Sequence, residues 1–296
     1  MGLTAEFRLD EDGFRGYFYK GEKKPGKAVI YVGGSGTSEM MTKNSAGFLI
    51  DEGYSVMVLG FYLWEGLPKK LRHIPLEYAE RAADWLRQQG YTDICMAGIS
   101  TGAVYTLLCA SKFPQITRVA AVSPFDHVME GVQILGARTA SSVYCYRGED
   151  LPYSRFSVID GGWARALKTA ADEGALRLFM RYGYERAELT EESRIKAENI
   201  NGDILMIYPA HDECWPSDEA VPRIVQQLRA HGFGHRVRAV RYNRASHALG
   251  SWPVDEMGVR IFLRAYCPNE RKYRRECGAA RKKSINEILR FLEEWE

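Results

Sequence analysis

Short runs of apolar, often β-branched residues recur along the chain, and segments with helical periodicity separate them. Uninterrupted runs of this kind are typical of strands buried on both faces of a parallel sheet. They lie at residues 27–34, 54–60, 93–98, 118–124, 203–210 and 237–243. Ahead of them, Asp12-Gly13 divides residues 5–21 into two shorter stretches and predicts a β-hairpin.

Four helices are predicted between and after these runs, at 76–90, 101–112, 217–230 and 285–295. In the first helix an apolar stripe recurs at helical spacing, formed by Leu76, Ala79, Ala83 and Leu86. Ser217 is expected to cap the third helix. Strands that alternate with helices predict an α/β fold, in which helices cover both faces of a mainly parallel sheet.

Residues 126–202 break this alternation, because a crossover ordinarily needs only one helix. The segment is rich in arginine and in aromatic residues, which are Tyr144, Tyr146, Tyr153, Phe156, Trp163, Phe179, Tyr182 and Tyr184. We interpret part of it as a cap-like insertion over a binding site, with Trp163 and Phe179 as candidate substrate contacts. An ordinary helix with a long surface excursion is the alternative. In either case residues 1–296 are predicted to form a single domain.

The composition is that of an ordinary soluble enzyme. The 296 residues are 46% hydrophobic and 26% charged, and the formal net charge of +2 is too small to indicate nucleic-acid binding. Six scattered cysteines without a CxxC pair favour reduced thiols over a disulfide framework or a zinc site. The first residues lack the apolar core of a signal peptide, and no apolar run approaches the ~20 residues of a membrane span. We therefore expect a cytoplasmic protein.

The pentapeptide GISTG, residues 98–102, follows one predicted strand and directly precedes a predicted helix. A GxSxG match alone is a weak signal, but the strand–turn–helix setting is what a nucleophile elbow requires. The glycines let strand and helix approach closely around a strained turn. We therefore predict that Ser100 is a nucleophile. The alternative is a glycine-softened turn with an idle serine.

Topology narrows the choice of a base for this serine. The carboxyl ends of parallel strands meet at one edge of the sheet, where Ser100 is expected to lie. His231 and His235 precede a strand and belong to the opposite edge, and His73 precedes a helix. The histidines that follow strands are His127, His211 and His247. We predict that His247 is the base, because its loop, RASHALG, can fold back over the sheet.

An acid must orient the base. Asp212 comes at the end of the predicted strand 203–210, which precedes the strand and loop that lead to His247. The order Ser100, Asp212, His247 is the chain order of α/β-hydrolase triads, so an α/β-hydrolase fold is predicted. Asp126, which follows the strand after the nucleophile helix, is the rival acid. Glu213 is expected to be a solvated neighbour.

Acyl transfer at such a site also needs two backbone N–H donors for the developing oxyanion. One is expected from Thr101, the residue after the nucleophile. The other is expected from the glycine-rich loop at 33–36, as Gly34, Ser35 or Gly36. This loop lacks the Lys-Ser/Thr of a P-loop and the GxGxxG spacing, which argues against nucleotide binding. The chemistry requires neither a metal nor a cofactor.

Positive charge is clustered near the C-terminus, at Arg271, Lys272, Arg274, Arg275, Arg281, Lys282 and Lys283. Such a run is usually a solvated face. The alternative is a basic rim that attracts an anionic substrate, such as a phosphate-bearing thioester.

From about residue 27 to 295 the chain resembles the C-terminal catalytic domain shared by acyl-CoA thioesterases and bile acid-CoA:amino acid N-acyltransferase. The likeness is carried by residues 31–86 (beginning YVGGSG), GISTGA (98–103), YRGEDLPYSRFSVIDG (146–161), IYPAHDECWPSDEA (207–220) and NRASHALG (243–250). The resemblance implies a triad of Ser100, Asp212 and His247. Long family members carry an N-terminal β-sandwich domain, which we do not expect in this sequence.

The family's conjugating transferase has a cysteine where this chain has Ser100, and serine favours water as the acyl acceptor. We therefore expect a serine hydrolase that cleaves a small-molecule acyl thioester of the acyl-CoA type. Three alternatives are a carboxylesterase on small or lipid esters, an acyl-CoA:amino acid N-acyltransferase, and a non-catalytic ligand binder. An intact Ser/Asp/His set argues against the last of these. The sequence does not indicate an oligomeric state.

Overall fold

The computed structural model describes residues 2–132, 138–156, 171, 178–251, 260–261, 263–264 and 267–295. The strands are β1 (Ala5–Phe7), β2 (Arg15–Tyr19), β3 (Lys23–Val32), β4 (Tyr54–Gly60), β5 (Ile74–Pro75), β6 (Asp93–Ile99), β7 (Ile116–Val122), β8 (Glu130–Val132), β9 (Arg138–Ser142), β10 (Tyr144–Tyr146), β11 (Glu149–Asp150), β12 (Asp203–Pro209) and β13 (Val237–Tyr242). The helices are α1 (Leu9–Asp12), α2 (Glu39–Asp51), α3 (Glu77–Gln88), α4 (Thr101–Lys112), α5 (Leu178–Glu185), α6 (Ser217–Ala230), α7 (Asn269–Lys272) and α8 (Arg274–Glu293), and Ala197–Asn199 form a 3₁₀ turn.

An eight-stranded sheet with the order β1-β2-β4-β3-β6-β7-β12-β13 forms the centre of the fold. The strands from β4 to β13 pair in parallel, and β1 and β2 add an antiparallel edge. Helices α2, α3, α4, α6 and α8 pack against this sheet. The predicted mainly parallel α/β architecture is therefore confirmed.

The strand order reverses at β3, since β4 lies on one side of it and β6 on the other. The register pairs Val32 of β3 with Gly98 of β6, and Ile99 of β6 with Val122 of β7. Strands β3, β6 and β7 therefore end at the same level. In parallel α/β sheets, ligands bind at the carboxyl ends of strands where the order reverses. The glycine loop after β3 and the GISTG turn after β6 meet at this point.

Burial follows the apolar pattern closely. Every residue of β4 is buried, and so are the four stripe positions of α3. Strand β13 differs, because it lies at the edge of the sheet and its side chains alternate between exposed and half-buried. The two predicted N-terminal stretches do pair antiparallel, with the single turn of α1 between them.

Between β7 and β12 the described residues have secondary structure of their own. Strands β8 and β9 pair with each other, and β10 joins β11 and β5 in a three-stranded sheet. Helix α5 and the 3₁₀ turn complete the described part of this insertion. Its role as a cap stays a prediction. None of the described helices has the length and apolar character needed to cross a lipid bilayer.

Candidate active site

Ser100 lies on a sharp turn between β6 and α4, with φ 55° and ψ −125°. A non-glycine residue at positive φ is strained, and such strain concentrates at functional sites. The flanking glycines explain how the turn fits. A Cβ on Gly98 would lie 2.3 Å from the carbonyl oxygen of Gly102, and one on Gly102 would lie 2.1 Å from that of Gly33. The sequence therefore uses glycine where strand, helix and neighbouring loop touch.

His247 contacts both the serine and the aspartate that were predicted to be its partners. Its Nε2 lies 2.9 Å from Ser100 Oγ, and its Nδ1 lies 2.9 Å from each carboxylate oxygen of Asp212. Asp212 is fully buried and His247 nearly so, whereas Ser100 is partly exposed. One end of this hydrogen-bonded chain is thus accessible and the other is enclosed.

The loop after β12, residues 212–216, holds the Asp212 carboxylate from several directions. The N–H groups of Cys214 and Trp215 donate to Oδ1, at 2.9 and 3.4 Å, and the Ser217 hydroxyl donates to Oδ2. The prediction that Ser217 caps α6 is wrong: it is the first helical residue, after Pro216, and its hydroxyl turns to the acid instead. This contact has no separate signal in the sequence, because a serine before an acidic first turn also fits a cap.

The histidine is fixed by a second set of contacts. Ser123, at the end of β7, donates its hydroxyl to the His247 carbonyl at 3.0 Å, and its own carbonyl accepts the Trp215 indole N–H at 2.9 Å. The Trp215 ring meets the His247 ring edge-on, with centroids 5.6 Å apart. On the other side, Ser246 donates to the buried carboxylate of Glu270. Neither the base nor its loop depends on a single anchor.

The surroundings of His247 favour its protonated form. Burial alone would lower the pKa of His247, but the negative charge of the adjoining Asp212 carboxylate outweighs it and raises the pKa to about 9. In its neutral form, a base with a raised pKa accepts a proton readily from a hydroxyl. The arrangement can therefore take the proton from Ser100 and stabilise the imidazolium that results.

Backbone donors suitable for an oxyanion lie around Ser100. Thr101 begins α4, and the first N–H groups of a helix have no partner within the helix. Gly34 is buried, and a Cβ built on it would lie 3.3 Å from the Cβ of Ser100. Ser35 is half-buried and Gly36 is exposed, and the loop closes through a 3.2 Å bond from Thr37 N–H to the Gly34 carbonyl.

Comparison with known proteins assigns the family. The family described as BAAT / Acyl-CoA thioester hydrolase C terminal matches residues 74–294. The chain belongs to this family. Mouse acyl-coenzyme A amino acid N-acyltransferase 2 is 26% identical over 204 residues, which cover 69% of this chain and 45% of that protein. Rat acyl-coenzyme A thioesterase 1 is 25% identical over 253 residues, 81% of this chain and 53% of that protein.

This member of the BAAT / acyl-CoA thioester hydrolase family thus spans about half the length of the curated relatives it matches. Among solved structures, the puromycin-hydrolyzing peptidase of Mycobacterium tuberculosis superposes with a TM-score of 0.50 at 15% identity, over 82% of this chain and 36% of that chain. The likeness to solved structures concerns the fold alone. The family resemblance and the α/β-hydrolase fold predicted from the sequence are both confirmed.

The rival acid of this family member has a different partner. Asp126 is also fully buried, but its oxygens accept hydrogen bonds from Arg223 at 2.6 and 2.9 Å, and one lies 3.0 Å from His127. Burial alone would raise the pKa of Asp126, but the Arg223 contact outweighs it and lowers the pKa. The structure brings Asp212 to His247 and Asp126 to Arg223.

The other histidines have partners or surroundings that do not include Ser100. His211 is exposed, His73 pairs with Asp150, and the His231 ring contacts the carbonyl of Gln227. His127 is enclosed beside Asp126, as described above.

Glu213 is not the solvated neighbour that the sequence predicts. It is only 1% exposed, and its Oε1 accepts the backbone N–H of Asn269 at 2.9 Å. Asn269 in turn donates its side-chain amide to the Ala245 carbonyl at 2.9 Å. The glutamate therefore joins the acid loop (residues 212–216) to the start of α7 and, through Asn269, to the histidine loop (residues 244–250). A charged residue beside an aspartate gives no local signal of such a distant partner.

Aromatic residues from the insertion reach the site through Trp215. Tyr184 of α5 meets the Trp215 ring edge-on at 5.5 Å and also packs against Phe156 at 5.0 Å. Of the two candidate substrate contacts, Trp163 lies outside the described residues. Phe179 lies on α5, and its side chain is not among those described.

The basic C-terminal segment is mostly exposed, as a solvated face would be. Arg281 is the exception, since its guanidinium pairs with the buried Glu270 at 2.5 Å and donates to the Ala248 carbonyl at 3.4 Å. Among the described residues, Asp212, Cys214 and His247 have donor atoms close enough to share a metal ion. Coordination there would compete with the contact between Asp212 and His247.

Proposed function

We propose that this protein hydrolyses acyl thioesters of the acyl-CoA type through a serine-bound acyl-enzyme, with Ser100, His247 and Asp212 as its catalytic residues. The observation that carries the proposal is the hydrogen-bonded chain from Ser100 Oγ through both His247 nitrogens to Asp212, at a strained elbow. Membership of a family described by acyl-CoA thioester hydrolysis supports the choice of substrate.

The proposed reaction has two halves. Ser100 Oγ attacks the acyl carbonyl carbon while His247 Nε2 takes its proton, and the carbonyl electron pair moves to oxygen. The oxyanion accepts hydrogen bonds from Thr101 and from one donor among Gly34, Ser35 and Gly36. When the carbonyl re-forms, the C–S bond breaks, and the departing thiolate takes the proton from His247 and is released as a thiol.

Water completes the cycle. It attacks the ester carbonyl of the acyl-enzyme as His247 takes one of its protons, and the second oxyanion uses the same donors. Collapse of this intermediate breaks the bond to Ser100 Oγ, which regains the proton from His247 and releases a carboxylic acid. Asp212 keeps the imidazole oriented throughout and stabilises its protonated form. The steps require only water besides the substrate.

A thioester suits this site because a thiolate leaves more readily than an alkoxide, so the proton transfer from His247 need not be synchronous with bond breaking. Relatives named acyl-coenzyme A thioesterase point to the same leaving group. A relative named N-acyltransferase makes an amino acid the competing acceptor. Serine at position 100 favours water.

The test compares kcat/KM for matched acyl-CoA, acyl-pantetheine and alkyl ester substrates, each with and without glycine. Thioester hydrolysis faster than ester hydrolysis is expected, with no glycine conjugate. Ser100→Ala should lower kcat roughly 10³-fold or more at an unchanged melting temperature, and should abolish labelling by a fluorophosphonate. A faster reaction with the unactivated ester would identify a carboxylesterase, and a glycine adduct would identify a transferase.

The same panel, extended over acyl chain length, tests the role of the insertion. Trp163→Ala or Phe179→Ala should shift the preferred chain length, since one methylene in a hydrophobic pocket is worth about 1–3 kcal/mol. An unchanged profile in both variants would remove them from the acyl site. If the basic segment binds the phosphates of CoA, the KM for acyl-CoA should rise with salt more than that for acyl-pantetheine.

A further inference from the structure

Two thiols lie side by side next to the proposed catalytic acid. The Sγ atoms of Cys214 and Cys267 are 3.9 Å apart. Cys267 is buried, and Cys214 is half-buried. A disulfide has its sulfurs about 2.05 Å apart, so a bond needs an approach of roughly 2 Å. Neither thiol has a part in the mechanism proposed above.

The chain segments that carry the two thiols are already joined. Glu213, adjacent to Cys214, accepts the backbone N–H of Asn269, two residues beyond Cys267. The carbonyl of Cys267 accepts the N–H of Glu270 at 2.9 Å, which ties Cys267 to the first turn of α7. These hydrogen bonds keep the two segments adjacent, so side-chain rotation can bring the sulfurs closer and a shift of the acid loop supplies the remaining distance.

A shift of the acid loop would displace a hydrogen bond to the Asp212 carboxylate. The backbone N–H of Cys214 donates to Asp212 Oδ1 at 2.9 Å, and this oxygen also contacts His247. A displacement on the order of 1 Å in a catalytic constellation can cost about 10²-fold in rate. A covalent bond to Cys214 would therefore change the orientation of the Asp212 carboxylate, because the backbone N–H of Cys214 holds that carboxylate.

We propose that Cys214 and Cys267 are a redox modification site, where a peroxide forms a reversible disulfide that moves the acid loop and lowers the activity of the site. The effect on thioester hydrolysis rests on the proposed function, whereas the disulfide itself does not. The reaction balances as two thiols and one hydrogen peroxide giving one disulfide and two waters.

The order of steps follows from the different burial of the two residues. The Cys214 thiolate attacks a peroxide oxygen, the O–O bond breaks, and the product is a sulfenic acid and water. The Cys267 sulfur then attacks Cys214 Sγ, loses its proton, and displaces the sulfenic oxygen as a second water. Cys214 is the less buried of the two residues, so it is the one expected to meet the peroxide first. A dithiol such as dithiothreitol reverses the bond by exchange.

Peptide mapping after peroxide treatment tests the disulfide directly. A crosslinked peptide pair containing positions 214 and 267, lost on reduction, is expected from the wild type and from Cys277→Ala. Cys277 is the matched control because it is buried in the same C-terminal region, where its thiol donates to the Asn269 carbonyl. Cys267→Ala should form no crosslink, and Cys267→Ser is a second variant if alanine impairs folding. Absence of the 214–267 crosslink in the wild type would overturn the proposal.

The functional half is measured as kcat/KM and as the rate of fluorophosphonate labelling of Ser100. Oxidation should lower both about tenfold or more in the wild type and in Cys277→Ala, with recovery after dithiothreitol, and should leave Cys267→Ala unaffected. A complete crosslink without loss of either rate would overturn the regulatory role. If reduced protein labels at Ser100 but hydrolyses no thioester, the proposed substrate fails, and labelling still decides the effect of the disulfide.

Discussion

Two buried aspartates at the ends of neighbouring strands offer a matched test of which is the catalytic acid. Asp126 follows β7 and Asp212 follows β12, and both are fully buried. Their partners differ, since Asp212 contacts His247 and Asp126 contacts Arg223. The same substitution, aspartate to asparagine, should therefore have opposite consequences at the two positions.

Asp212→Asn should lower kcat by roughly 10³–10⁴-fold, because an amide neither holds the imidazole in the required tautomer nor stabilises its protonated form. Asp126→Asn should leave kcat close to wild type but weaken folding. Removing one partner of a buried ion pair costs about 3–5 kcal/mol. Arg223 is 31% exposed, so solvent screening reduces the expected cost to about 1–3 kcal/mol, which lowers Tm by several degrees.

The assay is initial-rate thioester hydrolysis, followed by thiol release, together with thermal unfolding of each purified variant. The expected pattern is a slow, normally melting Asp212→Asn and an active, less stable Asp126→Asn. A severe loss of kcat in Asp126→Asn beside an active Asp212→Asn would transfer the acid role to Asp126. Comparable activity losses in both variants would show that the fold, rather than the charge at His247, limits the reaction.

Three further outcomes follow from the geometry of the site. Ser217→Ala should lower kcat/KM by about ten- to a hundredfold, since a hydrogen bond to a charged group is worth about 1.5–3 kcal/mol. Ser217→Thr should retain most activity. Equal kcat/KM in Ser217→Ala and the wild type would exclude a role for the hydroxyl. Because only neutral His247 takes the proton, kcat/KM should rise with pH through a pKa of about 9. Asp212→Asn should move this rise in the pH–rate profile to lower pH, since the carboxylate no longer stabilises the imidazolium. A rise at an unchanged pH would refute the influence of the carboxylate. Gly102→Ala should lower the free energy of unfolding by about 1–3 kcal/mol or prevent folding, because the new Cβ would lie 2.1 Å from a backbone oxygen. Gly278→Ala is the control: the space around Gly278 is open, so this variant should melt no lower than wild type.

Much of the central fold was predictable because both its strands and its elbow have local signals. The apolar run at 54–60 coincides with Tyr54–Gly60, and the stripe of α3 is buried as its spacing requires. The position of Ser100 between strand and helix, and the chain order of Asp212 and His247, depend on topology rather than on detailed packing. Parallel strands bring their carboxyl ends together wherever the side chains point.

The contacts that hold the site were not predictable, because each depends on a residue distant in the sequence. Helix α2 gave no clear pattern, since it buries Thr42 and Ser45 and contains Asn44 and Gly47, which are weak helix formers. Glu213 lies in a polar stretch, and its burial depends on Asn269, more than fifty residues further along the chain. Tertiary contacts decide such positions, and a single sequence does not contain them in local form.

The acid loop is the place where these distant contacts converge, and this has a consequence for the insertion. Arg181 of α5 donates to the backbone carbonyl of Asp212 and pairs with Asp218 at 2.8 Å. The insertion therefore contacts the acid loop directly. Arg181 is only 6% exposed, and its hydrogen bonds to the Asp218 carboxylate gain strength from that low-dielectric setting. A movement of α5 would therefore be transmitted to Asp212. The segment expected to face the substrate and the residue expected to orient the base are mechanically linked, although 31 residues separate them in sequence.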